Sequence, residues 1–271
     1  MYYIFNYRLT FPRVSSLLCC LRRLKCSLHS SNFVLLWSSI IAVHGLSGSW
    51  KTTWSTDERG HSTIWLRDRL PSLLAQANAI GRIRAFGYDA AYAFTRDASG
   101  LETCANDLLT RIRIMRMGDE EQGTPIIFIA HSMGGLVVKL AINMAHTDHE
   151  YHQDVLENTS GCIFLAVPFH EADAAFWAKK WSQIIKISTL GAFGNVQIPG
   201  ALTRNSKQWK DISRGFVQRG KDMTFRSAYE TDKMGMDLVK IHQFPFLIFP
   251  SLRCDVTNMI MLDCRRSLGA E

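Results

Sequence analysis

Pro125-Ile126-Ile127-Phe128-Ile129-Ala130-His131-Ser132-Met133-Gly134-Gly135-Leu136-Val137-Val138 is the stretch that decides the fold of this 271-residue chain. Ile126 to Ala130 is an unbroken apolar run rich in β-branched residues, the pattern of a strand buried on both faces. After Ser132 come helix formers, with Leu136, Val137, Leu140, Ala141 and Met144 repeating at helical period, a stripe that can pack on a sheet. So short a junction predicts that the Ser132 hydroxyl is pushed out above the sheet edge. Residues two before and two after such a serine must be small, because strand and helix pass close together there. These positions hold Ala130, a methyl group larger than the usual glycine, and Gly134. Strand, turn and helix together read as a nucleophile elbow. The alternative, an ordinary strand-to-helix turn with a surface serine, loses ground because all three parts occur in order.

A second element supports the elbow. Ile40-Ile41-Ala42-Val43 is a short apolar run ending in His44-Gly45-Leu46, followed by the loop Ser47-Gly48-Ser49-Trp50. In α/β-hydrolases an N–H from an early loop of this kind joins the N–H after the nucleophile to hold the oxyanion. Leu46 and Met133 are assigned as those donors. Glycine at position 45 lets the backbone approach a substrate carbonyl closely, and His44 is read as a side chain that orders the loop rather than as a base.

Composition narrows the classes further. A chain of this length can bury a substantial core in one catalytic domain. The net charge of +7 and pI near 9.1 come without zinc-finger spacing, an aromatic RNA-binding pattern or a long basic run, so nucleic acid is not an expected partner. Attraction to anionic lipid or acidic partners fits the charge better. Seven cysteines, with Cys19 and Cys20 adjacent and no C-x-x-C, indicate neither a disulfide framework nor a zinc site. Free thiols in a reducing compartment are expected, with no metal.

Residues 1–36 read as a basic leader. The first acidic residue is Asp57, whereas Arg8, Arg13, Arg22, Arg23 and Lys25 stand among serines and apolar residues. That composition is similar to a mitochondrial transit segment; a misassigned gene start or a disordered leader are the alternatives. The apolar stretch from Phe33 to Val43 is too short to span a membrane.

Along the rest of the chain, Trp65 to Pro71 predicts a helix stopped near the proline, and Arg82 to Tyr88 the next strand. Leu101, Ala105, Leu108, Leu109 and Ile112 mark an amphipathic helix, and Gly161 to Pro168 a further apolar strand. Strands alternating with helices predict a parallel sheet covered on both faces. Between Asp173 and Ile187, Trp177 and Trp181 share a helical face opposite Lys179, Lys180 and Lys186. This segment suits a lipid interface, or a cap helix over the sheet with its lysines in water.

Taken together, these blocks resemble the lipase-like α/β-hydrolase family of the serine-active-site-containing proteins and of the hydrolase domains of fungal NACHT and ankyrin-repeat proteins. The resemblance runs from about Ile40 to Val239. It rests on Ile41 to Leu46, Thr53-Trp54, Trp65-Leu66-Arg67-Asp68, Phe86-Gly87-Tyr88-Asp89-Ala90, the elbow, and Gly161-Cys162-Ile163-Phe164-Leu165. It implies an α/β class, α/β-hydrolase fold with a mostly parallel sheet and helices on both faces, truncated at its C-terminal end. The domain would occupy residues 37–239 and an atypical tail residues 240–271. The implied activity is that of a serine hydrolase acting on carboxylic esters or lipids and needing no cofactor; peripheral membrane contact is the expectation from the basic charge and the segment between Asp173 and Ile187. The implied setting is intracellular, with mitochondrial or endoplasmic-reticulum association, the cytosol being the alternative.

The same resemblance supplies the acid. The family carries a Tyr-Glu-Thr block, matched by Tyr229-Glu230-Thr231, which makes Glu230 the acid and Asp232 the runner-up. The chain departs from the family at Ala166-Val167-Pro168-Phe169, where Gly-Thr-Pro-His is usual and His170 falls one place late. The base lies beyond the acid in this fold. His242 holds that order, although the pattern stops near Val239; His170 is a second candidate base, and a domain with no base at all is the third expectation. Loss of a base would leave a degenerate hydrolase domain that binds a lipid or partner without turnover.

Overall fold

The computed structural model describes residues 3–7, 36–46, 48–58, 61–76, 79–95, 98–118, 120–165, 167, 198–220, 223–230 and 259–262. Strands β1 (Tyr3–Tyr7) and β2 (Leu36–Val43) belong to a seven-stranded sheet. A separate hairpin pairs β3 (Ser55–Glu58) with β4 (His61–Ile64). The large sheet continues with β5 (Ala79–Gly87), β6 (Ile126–His131), β7 (Thr159–Leu165), β8 (Thr224–Glu230) and β9 (Met259–Leu262). Its order is β1-β5-β2-β6-β7-β8-β9, with β5, β2, β6, β7 and β8 parallel and the two edge strands antiparallel. The stretch read as a leader thus contributes β1, and the stretch read as a tail contributes β9.

Successive residues of a strand face opposite sides of a sheet, and both sides of β2 are covered. Ile41 and Val43 pack with Phe128, Ala130 and Phe164 against α4 (Ala98–Arg116) and α5 (Gly134–Thr147). Ile40 and Ala42 pack with Ile127 and Ile129 against Trp54, Trp65 and Leu66 on the other face. This is why the central strands read as apolar runs without alternation. The first face is completed by α3 (Ala90–Thr95), α6 (His149–Asn158) and α7 (Ile198–Arg219).

One helix expected near Trp65 is two: α1 (Trp65–Asp68) and α2 (Leu70–Gln76). Pro71 opens the second instead of stopping the first. A proline in a first turn forfeits no intrahelical bond, since the N–H groups there have no carbonyl to reach.

At the N-terminal end of β6, the Glu121 carboxylate accepts from Arg82 and Arg84, and Arg84 also donates to Ser39 Oγ at 2.8 Å. The Arg84 and Glu121 side chains are each only 4% exposed, so an ionic staple is built into that end of the sheet. At the opposite end lies the functional geometry. From β2 the chain goes to β5 on one side and then to β6 on the other. Ligands of open α/β sheets bind in the crevice beyond the strand C-termini where the order reverses in this way. The residues that follow β2 and β6 are His44-Gly45-Leu46 and Ser132. Sheet order, parallel core and elbow make this an α/β-hydrolase fold, as expected.

Candidate active site

Ser132 opens the turn after β6 with φ of 54°, the one non-glycine residue of positive φ among the described residues. Left-handed backbone costs a residue with a β-carbon on the order of 1–2 kcal/mol, and such strain persists only where the surroundings enforce it. The enforcement is visible. Ser132 N–H donates to Leu165 O of β7 at 2.8 Å, and Ser132 O accepts from Gly135 N–H at 3.1 Å as α5 begins. Met133, buried and helical at φ −64° and ψ −19°, caps α5, so its N–H is among those that a helix start leaves without an intrahelical partner.

Small residues surround the elbow for identifiable reasons. A β-carbon on Gly134 would stand 2.3 Å from His44 O and 2.6 Å from Val43 O, so β2 and α5 touch through bare backbone. On Gly135 it would stand 2.3 Å from Val167 Cγ1. Ala130 is fully buried between Val43 and Phe164 in neighbouring strands, where its methyl group is accommodated.

Gly45 brings the second loop to the elbow. A β-carbon there would lie 2.8 Å from Ser132 Cβ, 2.9 Å from His131 O and 3.3 Å from Met133 N. The Gly45 backbone and Met133 N therefore lie together beside the serine. This close approach also changes one expectation. Ser132 stands at the sheet edge but is only 6% exposed instead of raised into solvent, because the Gly45 backbone closes over its β-carbon from the β2 side.

His44 is 1% exposed and engaged on both ring nitrogens. Nδ1 lies 2.9 Å from Gly45 O, and Tyr88 N–H donates to Nε2 at 3.4 Å. A carbonyl only accepts, so Nδ1 carries the proton and Nε2 is bare: the ring is neutral. Burial lowers its pKa, against the raising effect of its backbone bonds to Gly45 and Tyr88. His44 accordingly orders its loop. His131 is also held neutral, its pKa lowered to about 4 by burial and then by the neighbouring His44.

Leu46 is half-buried against the core beside this loop. Glu230 closes β8, two residues past Ala228, which pairs with Leu165, and so belongs to the same C-terminal edge of the parallel sheet as Ser132. Asp232, His170 and His242 lie outside the described residues, as does the segment from Asp173 to Ile187.

Tyr88 carries no role in the sequence reading, although it stands in one of the quoted blocks. Its hydroxyl donates to His44 O at 2.8 Å and its ring stacks on the imidazole at 4.5 Å. The available signal was an aromatic residue immediately after a strand whose C-terminus lies beside that of β2. Trp65 and Asp68 of another block are structural: Trp65 is buried and Asp68 accepts from Ile64 N–H at 2.8 Å, tying the start of α1.

A buried hydroxyl on a strained elbow, beside backbone N–H groups at a helix start, is arranged for addition to a carbonyl whose oxygen gathers charge. Protein SERAC1 of Bos taurus is 26% identical over 229 residues, covering 77% of this chain and 32% of that protein. Protein SERAC1 of Homo sapiens is 25% identical over the same length and coverage. The chain spans about a third of the length of these relatives. Among solved structures, a Bacillus licheniformis lipase in mature form covers 86% of this chain and 73% of its own, with a TM-score of 0.49 at 14% identity. A peroxisomal α/β-hydrolase of Saccharomyces cerevisiae covers 84% and 73%, with a TM-score of 0.39 at 12% identity. The family model described as "Putative serine esterase (DUF676)" matches residues 39–195, more than half of the chain and inclusive of both loops of the site. The chain belongs to the DUF676 serine esterase family.

Proposed function

We propose that this chain is a serine hydrolase of carboxylic esters or lipids, with Ser132 as the nucleophile. The observation that carries the reading is the apposition of Ser132, at φ 54°, with the Gly45 backbone and Met133 N. In the proposed reaction the Ser132 oxygen attacks the acyl carbonyl, and Leu46 and Met133 N–H groups hold the oxygen as it becomes negative. A histidine takes the serine proton and returns it to the leaving alcohol, oriented by Glu230. His242 is the proposed base, because His44 is committed on both nitrogens to its own loop. Water then attacks the acyl-enzyme by the same route. The basic composition supports a substrate presented at an anionic lipid surface, and an intracellular setting with mitochondrial or endoplasmic-reticulum association belongs to the same proposal.

The test is hydrolysis of p-nitrophenyl acetate, butyrate and palmitate by the full chain and by Ser132→Ala. Turnover lost in the variant supports the enzyme. The second reading is a domain that binds a lipid or partner without turnover. It is supported instead if Ser132→Ala leaves the measured hydrolysis unchanged while the folded protein still binds lipid vesicles.

A further inference from the structure

We infer that Tyr88 and His44 are positioning residues that fix the direction of Leu46 N–H, an inference that rests on the hydrolase reading above. The Gly45 carbonyl and the Leu46 N–H belong to one planar peptide unit and point in opposite directions. Whatever holds the carbonyl therefore aims the N–H. Gly45 O is held twice, by His44 Nδ1–H at 2.9 Å and by Gly48 N–H at 3.3 Å.

His44 can donate from Nδ1 only in the tautomer that leaves Nε2 bare, and Tyr88 N–H, facing Nε2 at 3.4 Å, selects that tautomer. The Tyr88 hydroxyl then fixes the preceding peptide by donating to His44 O at 2.8 Å. The same carbonyl is backed by Gly134, whose missing β-carbon would lie 2.3 Å away. Hydroxyl on one side and helix start on the other hold the His44–Gly45 peptide in place. Tyr88 is 7% exposed and His44 1%, so water does not compete for these bonds.

An oxyanion donor acts through being aimed before the charge develops. A flipped Gly45-Leu46 peptide would present a carbonyl where the N–H is required, repelling the oxyanion. The pair acts through the donor.

The test compares His44→Phe, which keeps a stacking ring but has no donor, with His44→Asn, whose amide can donate from the Nδ1 position, and with Tyr88→Phe. Removal of one oxyanion donor lowers kcat by about 100-fold or more, so His44→Phe should lose about that much with KM little changed. Reaction with a fluorophosphonate, whose phosphonyl oxygen takes the oxyanion position, should slow in parallel. His44→Asn should recover most of the loss and Tyr88→Phe should fall between. Hydrogen exchange at the Gly48 amide reads the same geometry without turnover: it should quicken at least tenfold in His44→Phe and stay slow in His44→Asn, in the manner of a local opening. Equal kcat in all variants with unchanged Gly48 exchange overturns the inference. So does a loss in His44→Asn as large as in His44→Phe. A wild-type chain that neither hydrolyses esters nor takes the probe overturns the hydrolase reading instead, while Gly48 exchange still decides the positioning of the peptide.

Discussion

Gly134 lies so close beneath His44 that a β-carbon on it would stand 2.3 Å from the His44 carbonyl oxygen. Backbone on both sides leaves no flexible atom to yield. Gly134→Ala should therefore part α5 from the end of β2 and cost about 2–3 kcal/mol, at the upper range of overpacking. Urea unfolding measures the loss, and fluorophosphonate labelling should fall with it. A variant of unchanged stability would mean that the two elements are not in contact.

Strain at Ser132 gives a second expectation. Glycine adopts φ of 54° without the steric cost that alanine shares with serine. Ser132→Gly should be more stable than Ser132→Ala by about 0.5–1 kcal/mol, with both inactive. Thermal unfolding of the two variants compares them directly, and the reverse order would contradict a left-handed elbow.

Much of this was legible from the residues themselves. The elbow could be read because strand, small residues and helical period must coincide for a serine to sit on such a turn, and the His44-Gly45 loop because glycine is needed where backbone meets backbone. The cover over Ser132 could not be read, since it depends on how closely Gly45 approaches across two strands far apart in sequence. Pro71 was misread because a proline marks a helix start as readily as a stop, and only the chain path distinguishes them. Tyr88 escaped because its role is a pair of bonds to a residue 44 positions away. The same holds for the Glu121 staple, whose partners on β5 lie 37 and 39 positions away.

That staple permits a control remote from the site. Glu121→Ala removes the carboxylate shared by Arg82 and the buried Arg84. Breaking one side of a buried ionic group costs about 3–5 kcal/mol, so unfolding should shift by that order in chemical denaturation. Labelling of the folded fraction should be unaffected, because the network lies at the opposite end of the strands. Lost labelling in a folded variant would link the two ends.

Acid should weaken the fold through His131. Its folded pKa is lowered to about 4 by burial and then by His44, against an ordinary value of 6.5. Between those values the unfolded chain binds a proton that the folded chain refuses, so stability falls as pH is lowered through this window. The slope from one such group is at most about 1.4 kcal/mol per pH unit, and it levels off below the folded value. His44, also lowered chiefly by burial, acts in the same direction. Urea midpoints for wild type and His131→Asn between pH 7 and pH 4 should converge as the pH falls, and parallel curves would contradict the assignment.

The most direct test of Ser132 as nucleophile is to treat the folded chain with a fluorophosphonate and locate the adduct by peptide mass spectrometry. One modified residue, Ser132, is expected, with no adduct in Ser132→Ala. An adduct on another residue, or a folded chain that remains unmodified, would contradict that assignment.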